Sequence, residues 1–135
     1  MSVITIRDFD RTSLDSLVDF ARSLKEDDSE YKNKFSDKLL ASLFFEDSTR
    51  TRTSHELAAR KLGMEVIGFA GTEGTSVKKS EPLIDTLRMF EGYGTDAFVI
   101  RHHLEGAARY AADIFDVPVI NAGDGSNGHP TQALM

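Results

Sequence analysis

The chain has 135 residues and no cysteine, which is enough length for one domain with a real core and rules out disulfides, thiolate catalysis and zinc–thiolate centres. Sixteen basic residues against 22 acidic ones leave a net charge of −6, which argues against nucleic acid as the main partner. No apolar stretch approaches membrane length and the N-terminus has no signal pattern, so no membrane contact and a cytoplasmic location are expected.

In chain order, Thr12 can cap a first helix, with Asp15 as the acidic partner of a capping box. Leu14, Leu17, Val18, Ala21 and Leu24 make one apolar stripe behind it. Residues 26–38 are polar and charged, and read as a solvated loop or short helix. Leu39 to Phe45 is an apolar run of strand length with no solvent face, the pattern of a strand buried on both sides. Ser48 is a good N-cap for the helix that follows. Leu57, Ala58 and Leu62 repeat at helical spacing, and Gly63 stops the helix.

Met64 to Ala70 predicts a second strand. Gly71 to Ser80 is a loop rich in Gly, Thr, Ser and Lys, and by composition alone a solvated connector. Pro82 to Tyr93 predicts a helix with proline in its first turn. Asp96 to Arg101 predicts a third strand, Leu104 to Phe115 an alanine-rich helix, and Val117 to Ala122 a fourth strand. A glycine-rich turn runs from Gly123 to Pro130, and Thr131 begins a last helix.

The alternation β-α-β-α-β-α-β after an N-terminal helix predicts an α/β domain: a four-stranded parallel sheet with helices on both faces. Ser48-Thr49-Arg50-Thr51-Arg52 then lies where a buried strand turns into a helix. Free N–H groups and the positive dipole end face outward there, beside hydroxyls and guanidiniums, which suits an anion such as phosphate. The two arginines point roughly 200° apart, so they cannot share one role. Arg50, nearer the helix start, is the candidate for the anion.

Polar clusters follow every strand, and open α/β sheets bind ligands at the carboxyl ends of their strands. Order alone thus predicts one site with Arg50, Arg101, His129 and hydroxyls around an anionic ligand. His129 also has a structural reading, as a cap on the last helix. His102 and His103 should face opposite ways in a strand, and no histidine pair has metal-ligand spacing, so neither metal nor cofactor is expected. Nucleotide-binding glycine motifs are missing.

Phe44-Phe45-Glu46, Ser48-Thr49-Arg50-Thr51-Arg52 and His129-Pro130-Thr131-Gln132 resemble the two signatures of the carbamoyltransferases. Val99-Ile100-Arg101-His102 with Glu105-Gly106-Ala107-Ala108-Arg109, Asn121-Ala122-Gly123-Asp124-Gly125 and Ser76-Val77-Lys78-Lys79 are similar to the aspartate branch in particular. Asp47, His55, Ser80 and His103 depart from the family pattern without removing a contact residue. The resemblance implies transfer of the carbamoyl group from carbamoyl phosphate to L-aspartate, giving N-carbamoyl-L-aspartate and phosphate, in pyrimidine biosynthesis.

By the same resemblance, Ser48, Thr49, Arg50 and Thr51 hold the phosphate. Arg101, His129 and Thr51 polarise the carbamoyl oxygen, and Gln132 meets the carbamoyl nitrogen. Ser76 and Lys79 reach in from a neighbouring subunit of a homotrimer, to which a regulatory chain can bind. Family chains are about twice this long by ordinary domain arithmetic. Residues 1–135 are therefore expected to be the carbamoyl phosphate-binding domain, without the aspartate-binding domain or the C-terminal helix, and inactive alone. An ornithine or other carbamoyltransferase, and a non-catalytic phosphate-binding or trimerising module, are the alternatives.

Overall fold

A computed structural model describes residues 2–71 and 81–134. Among them, four strands form one parallel sheet: β1 Leu39–Phe44, β2 Glu65–Ala70, β3 Ala97–His102 and β4 Val119–Asp124. The helices are α1 Arg11–Glu26, α2 Thr49–Lys61, α3 Leu83–Gly92, α4 Ala107–Ile114 and the short α5 Pro130–Ala133. This is the parallel α/β architecture that the alternating pattern predicts. The strand order is β2-β1-β3-β4, so the chain reverses direction across the sheet between β1 and β3. None of the described helices is long and apolar enough to cross a membrane.

The sheet is covered on both faces because β1 and β3 are apolar on both. Ala41, Leu43, Phe98 and Ile100 pack against Leu87 and Phe90 of α3 and Ala108 and Ala111 of α4. The alanines let α4 lie close to the sheet. On the opposite face, Leu40, Phe44, Val99 and Ala122 meet Ala59 of α2. Leu43, Phe44, Leu87, Phe98 and Ile100 have no exposed surface, and each contributes about 1.5–3 kcal/mol by burial.

Several local expectations shift. The first helix starts at Arg11 and is capped by Asp10, whose carboxylate accepts from the Ser13 amide at 2.7 Å. Asp15 instead pairs with Arg11 at 2.8 Å, and the capping box is formed upstream by Thr5 and Asp8. A charged Asp accepts this N–H better than a threonine two residues later, so it sets the helix start. The α1 stripe does not enter the core: no residue of α1 is buried. Leu57 is 54% exposed, and Ala59 is the core residue of α2 in its place. Ala58 and Leu62 face α1 instead, across a cleft of about 340 Å³ shared with Ala21, Leu24 and Tyr31.

Pro82 is the N-cap of α3 rather than its first turn, and α4 begins at Ala107, after Gly106 in the left-handed region. Residues 29–31 form a 3₁₀ turn in the polar stretch. β4 runs on through Gly123 and Asp124, which are strand and not turn. The N-terminal segment adds a contact that no periodicity announces. Val3 bridges Ile120 in parallel, with the Val3 amide donating to Val119 O at 2.7 Å.

Gly68 sits opposite Ser42 in the β1–β2 pairing with φ +138°. A Cβ there would lie 2.0 Å from Ser42 O, inside backbone that cannot move without breaking the ladder. Gly68→Ala should therefore cost about 3 kcal/mol, from the backbone conformation and the collision together. Urea denaturation of the variant against the parent chain checks this, and an unchanged midpoint would refute it.

Candidate functional site

The reversal between β1 and β3 opens a crevice at the carboxyl edge of the sheet, where neighbouring connections leave in opposite directions. Phe44 at the end of β1 lies opposite Arg101 near the end of β3, and the Phe45 amide donates to Arg101 O at 2.9 Å. The N-terminus of α2 therefore stands beside Arg101. A cleft of about 510 Å³ results, lined by Ser48, Arg50, Thr51, Ser54, Arg101 and Gln132.

Ser48 occupies the N-cap position of α2, but its side chain makes no capping hydrogen bond. The first helical bond is from the Arg52 amide to Ser48 O, at 3.0 Å. The hydroxyl and the first-turn amides are thus not tied to each other, and both can serve an incoming anion. Arg50 lines the cleft, whereas Arg52 turns away to Glu56 at 3.8 Å. The Glu56 carboxylate also accepts from the buried Ser42 hydroxyl at 3.0 Å. Thr49 is exposed and does not line the cleft, and Thr51 is buried.

Arg101 reaches forward from β3 and donates from Nη1 to Ala122 O at 3.1 Å. Its Nη2 lies 3.6 Å from Glu46, and its Nε is buried with no partner. Gly123 makes room for this guanidinium. It has φ +115°, and a Cβ there would lie 2.3 Å from Nη1.

His129 precedes α5 and joins the cleft through Thr51. Its Nε2 is 3.4 Å from the Thr51 hydroxyl and its Nδ1 is 3.2 Å from the Thr131 hydroxyl. It occupies the N-cap position of α5, as the cap reading has it, but its side chain makes no capping bond and is left to the cleft side. Burial first, then the nearby Arg101 and His55, hold its pKa below the ordinary histidine value. A neutral imidazole at pH 7 follows, able to donate one N–H to an oxygen. His55 donates its Nδ1–H to Thr51 O at 2.8 Å, which fixes the backbone turn carrying Thr51. Ser76 and Lys79 lie outside the described residues.

Residue-level reading missed Ser54, one helical turn past Thr51 and legible from that spacing. It also missed the steric role of Gly123, for which the sequence holds no signal. The expectation that His102 and His103 face apart is overturned: their rings stack with centroids 4.3 Å apart. β3 ends at His102, so His103 lies outside the strand and strand alternation does not govern it. His102 is 5% exposed, packs on Phe45, and accepts the Leu104 amide at Nδ1.

An open parallel sheet with cations, hydroxyls and a helix N-terminus at its switch point defines an α/β domain with a candidate anion site. The comparisons with known proteins are narrower. Residues 1–135 match the family described as aspartate/ornithine carbamoyltransferase, carbamoyl-P binding domain. The chain belongs to that family. It is 50% identical to the aspartate carbamoyltransferase catalytic subunit of Pyrobaculum islandicum, covering 98% of this chain and 43% of the relative. It is 52% identical to that of Thermococcus gammatolerans, covering 98% and 44%. Among solved structures, the catalytic subunit of M. jannaschii aspartate transcarbamoylase superposes with a TM-score of 0.88 at 44% identity, over 98% of this chain and 44% of that one. The Trypanosoma cruzi enzyme in complex with carbamoyl phosphate and aspartate gives 0.86 at 36% identity, over 98% and 44%. The chain spans less than half the length of these relatives.

His102 makes stability depend on pH. Burial, then the charge of His103, push its pKa from 6.5 to about 4, against a smaller opposing effect of Glu46. A histidine whose folded pKa is depressed takes its proton more readily when unfolded. Its contribution is therefore intact above about pH 6.5 and is lost as pH falls toward about 4. The loss should be on the order of 2–3 kcal/mol. Urea denaturation at pH 7 and pH 4.5 measures it, and His102→Gln should flatten the difference. An equally steep dependence in the variant would assign the effect to other groups.

Proposed function

We propose that this chain forms the carbamoyl phosphate half of an aspartate carbamoyltransferase site. The observation that carries the reading is the meeting of the α2 N-terminus, Arg101 and His129 at one switch-point cleft, in a member of this family. Ser48, Thr49, Arg50 and Thr51 would take the phosphate. Thr51, Arg101 and His129 would take the carbamoyl oxygen, and Gln132 the carbamoyl nitrogen.

The chemistry suits those donors. The aspartate amine attacks the carbamoyl carbon, and the carbonyl oxygen gains negative charge. As the carbon–oxygen bond to phosphate breaks, charge also grows on the leaving group. Donors fixed beforehand on both sides of the breaking bond bind that state more tightly than the substrate. Aspartate is favoured over ornithine by sequence likeness, since both relatives named above are aspartate carbamoyltransferase catalytic subunits. Residues 1–135 act in this reading as the carbamoyl phosphate-binding domain of a cytoplasmic enzyme of pyrimidine biosynthesis. Positioning the amine requires donors for both aspartate carboxylates, which the assigned residues do not supply.

Carbamoyl phosphate should therefore bind the chain in the absence of aspartate, and aspartate should not bind alone. Arg50→Ala removes a charge-assisted hydrogen bond, about 1.5–3 kcal/mol, and should weaken carbamoyl phosphate roughly ten- to hundredfold. Titration calorimetry with each ligand checks this, and aspartate binding first would contradict it. Ser76 and Lys79 are proposed to complete the neighbour's site in a homotrimer. Arg50→Ala and Lys79→Ala chains should each bind poorly, while their mixture after subunit exchange regains binding. A trimer by sedimentation whose mixtures recover nothing would exclude shared sites.

A further inference from the structure

Asn121 and Asp124 are charged or polar, fully buried, and unused by the cleft itself. Asn121 is 0% and Asp124 1% exposed. Their hydrogen bonds run to both sides of the site. Asn121 Oδ1 accepts from the Gly123 amide at 2.8 Å. Its Nδ2 donates to Ile4 O at 2.9 Å and to Asp124 Oδ1 at 3.1 Å, with Gly128 O at 3.5 Å. Asp124 Oδ2 accepts from the Gly106 amide at 3.0 Å and from Asn127 Nδ2 at 3.2 Å.

The bonds to Gly123 and Gly128 hold backbone next to a site feature. The Gly123 amide is held in the unusual conformation that leaves room for Arg101 Nη1, beside the Ala122 carbonyl that accepts from it. The Asp124 amide donates to Gly128 O at 3.3 Å, and the Asn127 amide to Asp124 O at 3.1 Å, so the turn closes immediately before His129. One buried amide and one buried carboxylate therefore span the interval between the two candidate polarising groups. They also tie it to the N-terminal segment through Ile4 and to the start of α4 through Gly106.

We propose that Asn121 and Asp124 are positioning residues that set the separation of Arg101 and His129, and so the discrimination of a carbamoyl oxygen from a bare phosphate. This rests on the carbamoyl phosphate reading above. A pair that served stability alone would affect every ligand of the cleft alike. A positioning pair acts on the Arg101–His129 side and leaves the α2 N-terminus, where phosphate sits, untouched.

The experiment compares inorganic phosphate and carbamoyl phosphate by calorimetry on the 135-residue chain. Asp124→Asn puts an N–H₂ group among donors and should weaken carbamoyl phosphate about tenfold, while inorganic phosphate changes by less than about twofold. The exchanged pair N121D/D124N restores the bond between the two side chains and the acceptors for Gly123 and Gly106, but sets a carboxylate oxygen against the Ile4 and Gly128 carbonyls to which Nδ2 donated. It should recover part of the loss. Equal weakening of both ligands, or none, overturns the proposal.

The Cε1–H signal of His129 reads the imidazole's surroundings without any ligand. It should move in Asp124→Asn and return toward the parent position in the exchanged pair, and a stationary signal overturns the proposal. Should the parent chain bind the two ligands equally, the carbamoyl phosphate reading fails while this signal still judges the positioning role. Should Asp124→Asn not fold, hydrogen exchange of the parent chain decides: the Gly106 and Gly123 amides should exchange slowly, and fast exchange overturns the proposal.

Discussion

The parallel pairing of β1 with β3 is the constraint on which the rest depends. It sets Phe44 opposite Arg101 and ties Phe45 to the Arg101 carbonyl. The chain leaves β1 toward β2 on one side, while β3 leads to β4 on the other. The α2 N-terminus and the end of β3 are therefore neighbours with an open crevice between them. The pairing holds because both strands are buried on both faces, so a slip of one residue would strand apolar side chains against the wrong helices.

The electrostatics of the cleft follow from that placement. Arg101 is three-quarters covered, yet its carboxylate neighbour Glu46 is 3.6 Å away, too far for a strong charged hydrogen bond. Its firm partner is a carbonyl, which orients the guanidinium without cancelling its charge. Arg52 leans toward Glu56, 3.8 Å away, and does not line the cleft. Burial and the same Arg101 keep His129 uncharged. The cleft thus presents positive charge at the α2 side and at Arg101, with a neutral donor between hydroxyls.

The readable parts of the chain were those governed by local periodicity. The apolar run after Leu39, the helix after Ser48 and the later strand–helix alternation all declare themselves over windows of a few residues. The errors also have local causes. A charged Asp10 outcompeted Thr12 for the helix start, and Ala59 rather than Leu57 faces the sheet because α2 meets it on its small-residue side. The stacked His102 and His103 depart from alternation because β3 ends at His102 and His103 is no longer strand. The bridge from Val3 to β4 was invisible because two or three residues have no period.

By itself the sequence determined the element types, their order, and which polar residues follow each strand. These rest on the 2.0 and 3.6 residue periods and on the chemistry of caps and turns, all of which are local. Parallel connectivity then placed every such cluster on one edge of the sheet. Only the tertiary structure decided the strand order, and with it that the ends of β1 and β3 adjoin. It alone turned Arg50 into the cleft and Arg52 out of it, seated Arg101 over Gly123, and brought Asn121 to Ile4 across 117 residues of chain. Such pairings depend on which surfaces bury best against each other over the whole molecule, and no window of neighbouring residues contains that sum.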